Sequence, residues 1–251
     1  MYLNITPTKL KLGYSAFVIL TLLEMDHKDL PLRDYYLEKF ANGIMHLQRE
    51  DGSFQTFFYA DESGGEDYYP GEALFALMSL YADGGNRTYL EVVEKAFPYY
   101  ADYWRANKNT AFVPWQTRAY TLLYEYTNKQ DYADLIFEMN DYILESYFPL
   151  DNCTDFEFDT SVVAVHMEGV IQAYNLAIEL RDNNRASCYR NFTLEGSAFL
   201  LTLQITETAN FLEEEAVGGF LDSETSESMR VDRNQHAIIA LKDAIDAGII
   251  S

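Results

Sequence analysis

Cysteine is nearly absent from this chain. The 251 residues hold only Cys153 and Cys188, too few for a disulfide framework, and no metal-ligand spacing surrounds either one. Basic residues are also scarce: 18 Lys and Arg stand against 40 Asp and Glu, a net charge of −22. That balance excludes sequence-independent nucleic-acid binding, which needs cations to neutralise phosphates, and it excludes docking on an anionic membrane. Long apolar runs are missing as well. The longest, around Ala16 to Leu23, falls well short of the ~20 residues that cross a bilayer. The N-terminus carries no basic stretch ahead of an apolar one, so no secretory signal is visible and a cytoplasmic location is expected. Four Asn-x-Ser/Thr sequons, at Asn4, Asn86, Asn152 and Asn191, keep an exported location open. There is no Walker-type loop, nucleophile elbow or dinucleotide fingerprint, and no cofactor is expected.

What the chain does have is apolar substance. Hydrophobic residues make up 48% and aromatic residues 15%, enough for one large core. No Pro/Gly/Ser-rich linker or compositional break divides residues 1–251, and a single domain is expected.

The hydrophobic pattern is helical nearly throughout, and two kinds of helix alternate. Leu90, Val93, Phe97, Tyr100 and Trp104 form one apolar stripe. Leu135, Ile136, Met139, Tyr142 and Ile143 form another, and Tyr189, Phe192, Gly196, Phe199, Leu200 and Leu203 a third. These are helices with one wet face. Between them lie segments with little wet face: Phe17 to Leu20, Ala73 to Met78, Ala119 to Tyr126, Val170 to Leu180 and Ala237 to Leu241. Helices apolar on all sides belong inside. The pattern predicts about nine helices, inner and outer in alternation.

One unit repeats. Leu47-Gln48 leads to Gly52-Ser53-Phe54, an acidic loop and an inner helix; Leu203-Gln204 leads to Gly218-Gly219-Phe220, another acidic loop and another inner helix. Stacked α-hairpins curling round an axis follow from such repetition, with inner helices as the lining.

Polar residues gather where inner helices begin, as Tyr68-Tyr69-Pro70-Gly71-Glu72, Pro114-Trp115-Gln116-Thr117-Arg118, His166-Met167-Glu168-Gly169 and Asp232-Arg233-Asn234-Gln235-His236. Such groups at the mouths of buried helices predict one shared, partly buried site. Glu72, Glu168, Asp67 and Asp232 are the acid–base candidates, since catalysis by a carboxyl pair needs one protonated and one ionised member. Each also fits a plain role, because acidic residues favour helix N-termini and Asp67 and Asp232 suit ordinary caps. Tyr68, Tyr69 and Trp115 offer flat faces to a sugar ring, and Gln116, Arg118, Arg233 and Gln235 offer hydrogen bonds to its hydroxyls. The arginines are expected to pair with carboxylates such as Glu72 or Asp232. His166 and His236 occupy equivalent positions on two inner helices and can carry protons, or can pack in the wall against a carbonyl. His27 and His46 are expected in solvent. No metal site is expected, since His166 and Glu168, two apart on a helix, diverge. The acidic segment from Asp222 to Glu227 has the character of a mobile lid.

Gln48-Arg49-Glu50-Asp51-Gly52-Ser53-Phe54 resembles the Gln…Asp-Gly-Ser-aromatic turns of α/α toroids. Together with the helix mouths at Glu66 to Leu74, Phe112 to Gln116 and Val231 to Ala237, the chain looks like a member of the six-hairpin glycosidase-like superfamily, over about Gly13 to Ile245. The resemblance implies an all-α toroid. A complete ring would have twelve helices, so the barrel is expected to be incomplete or smaller. The superfamily includes glycoside hydrolases, sugar epimerases and isomerases, and proteins with no assigned reaction. A terpenoid cyclase is disfavoured, because neither Asp-Asp-x-x-Asp nor Asp-x-Asp-Asp occurs. The expectation is therefore a carbohydrate-active enzyme, hydrolase-like, cleaving a glycan with paired carboxylates. The alternatives are an epimerase or isomerase, in which His166 and His236 resemble the histidine pair of the superfamily's epimerases, and a non-catalytic glycan- or peptide-binding module.

Overall fold

The computed structural model describes residue 1 and residues 10–25, 31–59, 61–149, 153–206 and 216–251. The sequons at Asn4 and Asn152, and His27, lie outside the described residues. Among the described residues there are nine α-helices and no named strand. The chain divides into two compact units, Met1–Leu135 and Ile136–Ser251.

In the first unit α1 (Leu12–Glu24), α3 (Tyr69–Gly84) and α5 (Val113–Thr127) pack side by side, with α2 (Arg33–His46) against α1 and α4 (Arg87–Ala106) against α3. The inner–outer alternation is thus present. Pro70 and Pro114 stand in the first turns of α3 and α5, where a missing N–H costs nothing and the fixed φ favours helical entry. Along α3 the residues Ala73, Leu74, Ala76, Leu77 and Met78 are wholly buried. Asn86 caps α4 by accepting from the Thr88 N–H.

The chain passes into the second unit within α6 (Gln130–Glu145). There α7 (Val163–Glu179) packs on both α8 (Asn183–Thr202) and α9 (Val231–Asp246). Gly196 lets α8 approach α7 closely: a Cβ there would stand 2.9 Å from the Met167 sulfur. α9 departs from the expected all-round apolar burial. Ala237, Ala240 and Ala244 are buried, whereas Val231, Ile238 and Ile245 face outward.

The repeated turn is real in each unit. Gln48 bridges Phe54 and its Nε2 donates to the Gly52 and Val92 carbonyls; Gln204 bridges Phe220 and its Nε2 donates to the Gly218 carbonyl. The glutamine is therefore a turn clamp. Gly52 is required twice over, by a φ of +91° and by the Lys95 carbonyl oxygen 2.3 Å from where a Cβ would sit.

Although two cysteines make no framework, Cys153 and Cys188 pair, tying the segment after α6 to α8. Next to the bond, Glu195 accepts from the backbone N–H groups of Asp155 and Phe156. Phe156 and Phe158 pack on Phe192, and Phe158 also on Tyr147. The segment thereby lies against α8.

Candidate functional site

Each unit carries a polar cluster at the start of its inner helices. In the first unit the centre is Glu72, in the opening turn of α3. Its side chain reaches back to α1, where Gly13 makes room: a Cβ on Gly13 would fall 1.9 Å from Glu72 Oε2. Burial pushes the Glu72 carboxyl up to about 7, opposed by the nearby Lys11 ammonium. Lys11 Nζ lies 5.2 Å from the Tyr69 ring centre and 5.6 Å from that of Tyr14. Its pKa is raised first by a hydrogen bond with Tyr69, with a further contribution from Glu72.

Gly71 brings α5 up to this point. A Cβ on Gly71 would stand 2.8 Å from Trp115 Cβ and 3.2 Å from the Gln116 backbone nitrogen. Trp115 is buried edge-on against Phe17 and tilted against Phe75, and Arg118 lies over the Phe75 ring at 4.8 Å. Gln116 is sealed in the interior, with neither carboxamide atom hydrogen-bonded among the described residues. Tyr68 is exposed. Asp67 is an anchor rather than an open carboxylate: it accepts from the Tyr103 hydroxyl and from Asn109 Nδ2, each at 3.1 Å. Burial, then this bond to Asp67, raises the Tyr103 hydroxyl to about 12.

In the second unit the cluster is built by the first two turns of α7 and α9. His236 Nδ1 stands 2.7 Å from Glu168 Oε1. A carboxylate at this distance accepts a hydrogen bond only from a protonated Nδ1, the tautomer that leaves Nε2 with its lone pair. His166 Nδ1 stands 2.6 Å from the Tyr147 hydroxyl. Burial, followed by the Arg233 charge, depresses His166 to about 4, so the imidazole is neutral near pH 7. Burial also keeps the Tyr147 phenol protonated, raising it above its ordinary range.

The charged residues around them differ from the expected pairing. Arg233 Nε faces Asp222 at 3.4 Å, and Asp222 accepts from the Ser161 hydroxyl at 3.2 Å. Asp232 is exposed and held by both ends of the Arg230 guanidinium, at 3.0 and 2.7 Å, which lowers its pKa. Gln235 is exposed too. Asn234 clamps the repeat turn: its Oδ1 accepts from Phe220 N–H and its Nδ2 donates to the Phe220 and Arg230 carbonyls. The segment that began as a lid candidate is thus rooted at Asp222. Sequence reasoning missed Tyr147, one of 20 tyrosines and 19 residues from its partner, and no local pattern singles it out. Among the described residues no three His, Cys, Asp or Glu side chains are grouped to hold a metal ion, and no helix is long and apolar enough to cross a membrane.

No protein-family profile matches the sequence, and no characterised protein matches it at the sequence level. Solved structures match its fold. An inactive variant of an α-1,6-mannanase from a Salegentibacter species, in complex with α-1,6-mannotriose, superimposes with a TM-score of 0.70 at 14% identity, over 96% of this chain and 76% of that one. A D-mannose isomerase gives 0.62 at 13% identity, over 95% and 71%. A cellobiose 2-epimerase from Bacillus thermoamylovorans gives 0.60 at 12% identity, over 97% and 73%. The chain shares the all-α fold of these proteins over nearly its whole length.

Proposed function

We propose that the protein is a sugar isomerase or epimerase that moves a proton at the carbon beside a sugar carbonyl, with His236 as base and His166 as electrophile. The observation that carries this is a pair of imidazoles at the α7 and α9 starts, His236 within 2.7 Å of the Glu168 carboxyl and His166 buried within 2.6 Å of the Tyr147 hydroxyl. With Glu168 accepting from Nδ1, His236 Nε2 takes the C2 proton, and the carboxylate stabilises the imidazolium that forms. The electron pair of the broken C–H bond moves into an enediolate. If Tyr147 donates to His166 Nδ1, the His166 Nε2 carries a proton and faces the developing oxyanion as a neutral donor. Returning the proton to C1 while the O2 hydroxyl proton passes to O1 gives the ketose, and the epimer forms when C2 instead takes a proton on its opposite face from an acid other than His236. Arg233, one turn from His236, completes the polar wall. The likeness to a mannose isomerase and a cellobiose epimerase fits this reading but, resting on fold, adds little weight by itself.

Hydrolysis with Glu168 as one of two working carboxyls is less favoured, because that side chain is engaged by His236. The inactive mannanase variant has two consecutive aspartates replaced by asparagine, and this sequence contains no two consecutive aspartates. One observation keeps a hydrolase as a second reading: Glu72, protonated near neutrality by burial, suits a general acid. The Cys153–Cys188 bond supports an oxidising compartment over the cytoplasm.

The test is incubation with mannose, glucose and cellobiose in deuterated water, followed by NMR. Deuterium at C2 with ketose or epimer appearing is the expected result. Reducing ends released from mannan, without exchange into free sugar, would replace the proposal with the hydrolase.

A further inference from the structure

The repeat turn that resembles those of the toroids does more than reverse the chain in the first unit. Between the turn, the acidic loop that follows it and the C-terminal half of α4 lies a cleft of about 150 Å³, whose lining includes Arg49, Ser53, Glu62, Glu66, Tyr99 and Tyr103. That space amounts to about five water volumes, and it falls below the ~300 Å³ at which drug-sized sites begin. It suits a single ring.

The walls are specific. Tyr99 and Tyr103 are stacked, with centroids 6.4 Å apart and planes 14° from parallel. They form a double aromatic flank that is fixed from behind, since the Tyr103 hydroxyl is bonded to Asp67. Tyr100, almost fully buried and also lining the cleft, accepts from the Phe54 N–H at 2.8 Å. Its own hydroxyl proton has no acceptor among the described residues. That proton is free to donate to a group placed in the cleft. Glu62 and Glu66 supply carboxylates that only accept, and Arg49 supplies a guanidinium that only donates.

We propose that this cleft binds one saccharide ring, separately from the histidine pair. The chemistry selects that class. Alternating donor and acceptor groups match hydroxyls, which do both, and a flat tyrosine face covers the apolar face of a pyranose. Two carboxylates against one guanidinium disfavour a phosphate or other anion. The second repeat offers no counterpart, because α8 presents no tyrosine pair at its C-terminal end.

The inference goes beyond the isomerase reading and does not depend on it. Saturation-transfer NMR with methyl mannoside and methyl glucoside, which lack the free carbonyl an isomerase needs, reads binding alone. The variants are Tyr99→Ala and Glu66→Gln, with melting temperatures checked beside them. Transfer from the protein to the glycoside, weakened about tenfold by either variant, is expected; tenfold is a modest step in affinity. Should Tyr99→Ala fail to fold, Glu66→Gln on the loop carries the test. Glycoside signals unaltered by both variants, no transfer to wild-type protein, or preferential binding of a free amino acid at the same residues would each overturn the proposal.

Discussion

The hydroxyl of Tyr147 lies 2.6 Å from Nδ1 of His166, and both groups are buried. A ring held this way has one orientation and, with the phenol donating, one tautomer. Tyr147→Phe removes the oxygen and keeps the packing against Phe158 and Phe192. The expected outcome is a fall in kcat of about 10- to 100-fold with little change in KM, as for other groups that orient a working imidazole. Steady-state kinetics on the active sugar measure the split, and an unchanged kcat would remove Tyr147 and His166 from the reaction.

Glu168→Gln preserves the shape beside His236 but removes the charge that stabilises an imidazolium. Turnover is expected to drop about 10²- to 10⁴-fold, following the behaviour of carboxylate-backed histidines elsewhere. Exchange of the C2 proton into deuterated water should fall in parallel with product formation. If exchange persists while product formation is lost, another group is the base.

Two buried groups pull stability in opposite directions with pH. The folded pKa of Glu72, about 7, lies above its ordinary 4.5, so the native state binds the extra proton and stability falls as pH rises from 4.5 to 7. His166, at about 4 against 6.5, binds fewer protons when folded, so stability falls as pH drops from 6.5 to 4. Each swing is roughly 3 kcal/mol, at about 1.4 kcal/mol per pKa unit. Glu72→Gln should therefore be more stable than wild type at pH 8 and steeper in its acid loss between pH 6.5 and 4.5. Denaturant titrations across that range check both slopes.

Gln116 offers a test of opposite sign. Its buried amide has no partner among the described residues, so Gln116→Leu should leave stability unchanged or raise it by about 1–3 kcal/mol, the cost of an unsatisfied buried polar group. A clear loss of melting temperature would mean that the amide is satisfied in solution.

The Cys153–Cys188 bond closes a loop with a sequence separation of 35. Loops of this size are worth about 3–4 kcal/mol when closed. Reduction should lower the melting temperature by about 10 °C, at ~2–4 °C per kcal/mol for chains this long. A thermal melt with and without reductant measures it, and thiol counting on protein from its native cells reports the compartment.

Much of this architecture was legible in the sequence because it is written in local periodicity. The stripes of α4, α6 and α8 and the apolar inner helices all appear at their expected places, and the Gln48 and Gln204 repeat folds as two similar turns. The exposed isoleucines of α9 were not legible, since Ile238 and Ala237 read alike until a neighbouring helix covers one and not the other. At the candidate site, sequence named Glu72, Glu168, His166 and His236 through their position at helix mouths. It gave no means of pairing Arg233 with Asp222 rather than Asp232, or of finding Tyr147, because those contacts depend on how irregular segments fold back onto the helix starts and leave no periodic trace. The same limit hid the disulfide, whose cysteines carry no pairing signal of their own.

Gly13 and Glu72 share one volume: the carboxyl occupies the space a methyl group on Gly13 would need. The two positions are therefore coupled. With alanine or anything larger at the first position the acid at the second must shorten, leave or rotate its terminal oxygen away. The glycine is therefore a marker that can be read in a bare sequence, sorting relatives that retain a buried, proton-holding glutamate on the third helix from those that have abandoned it.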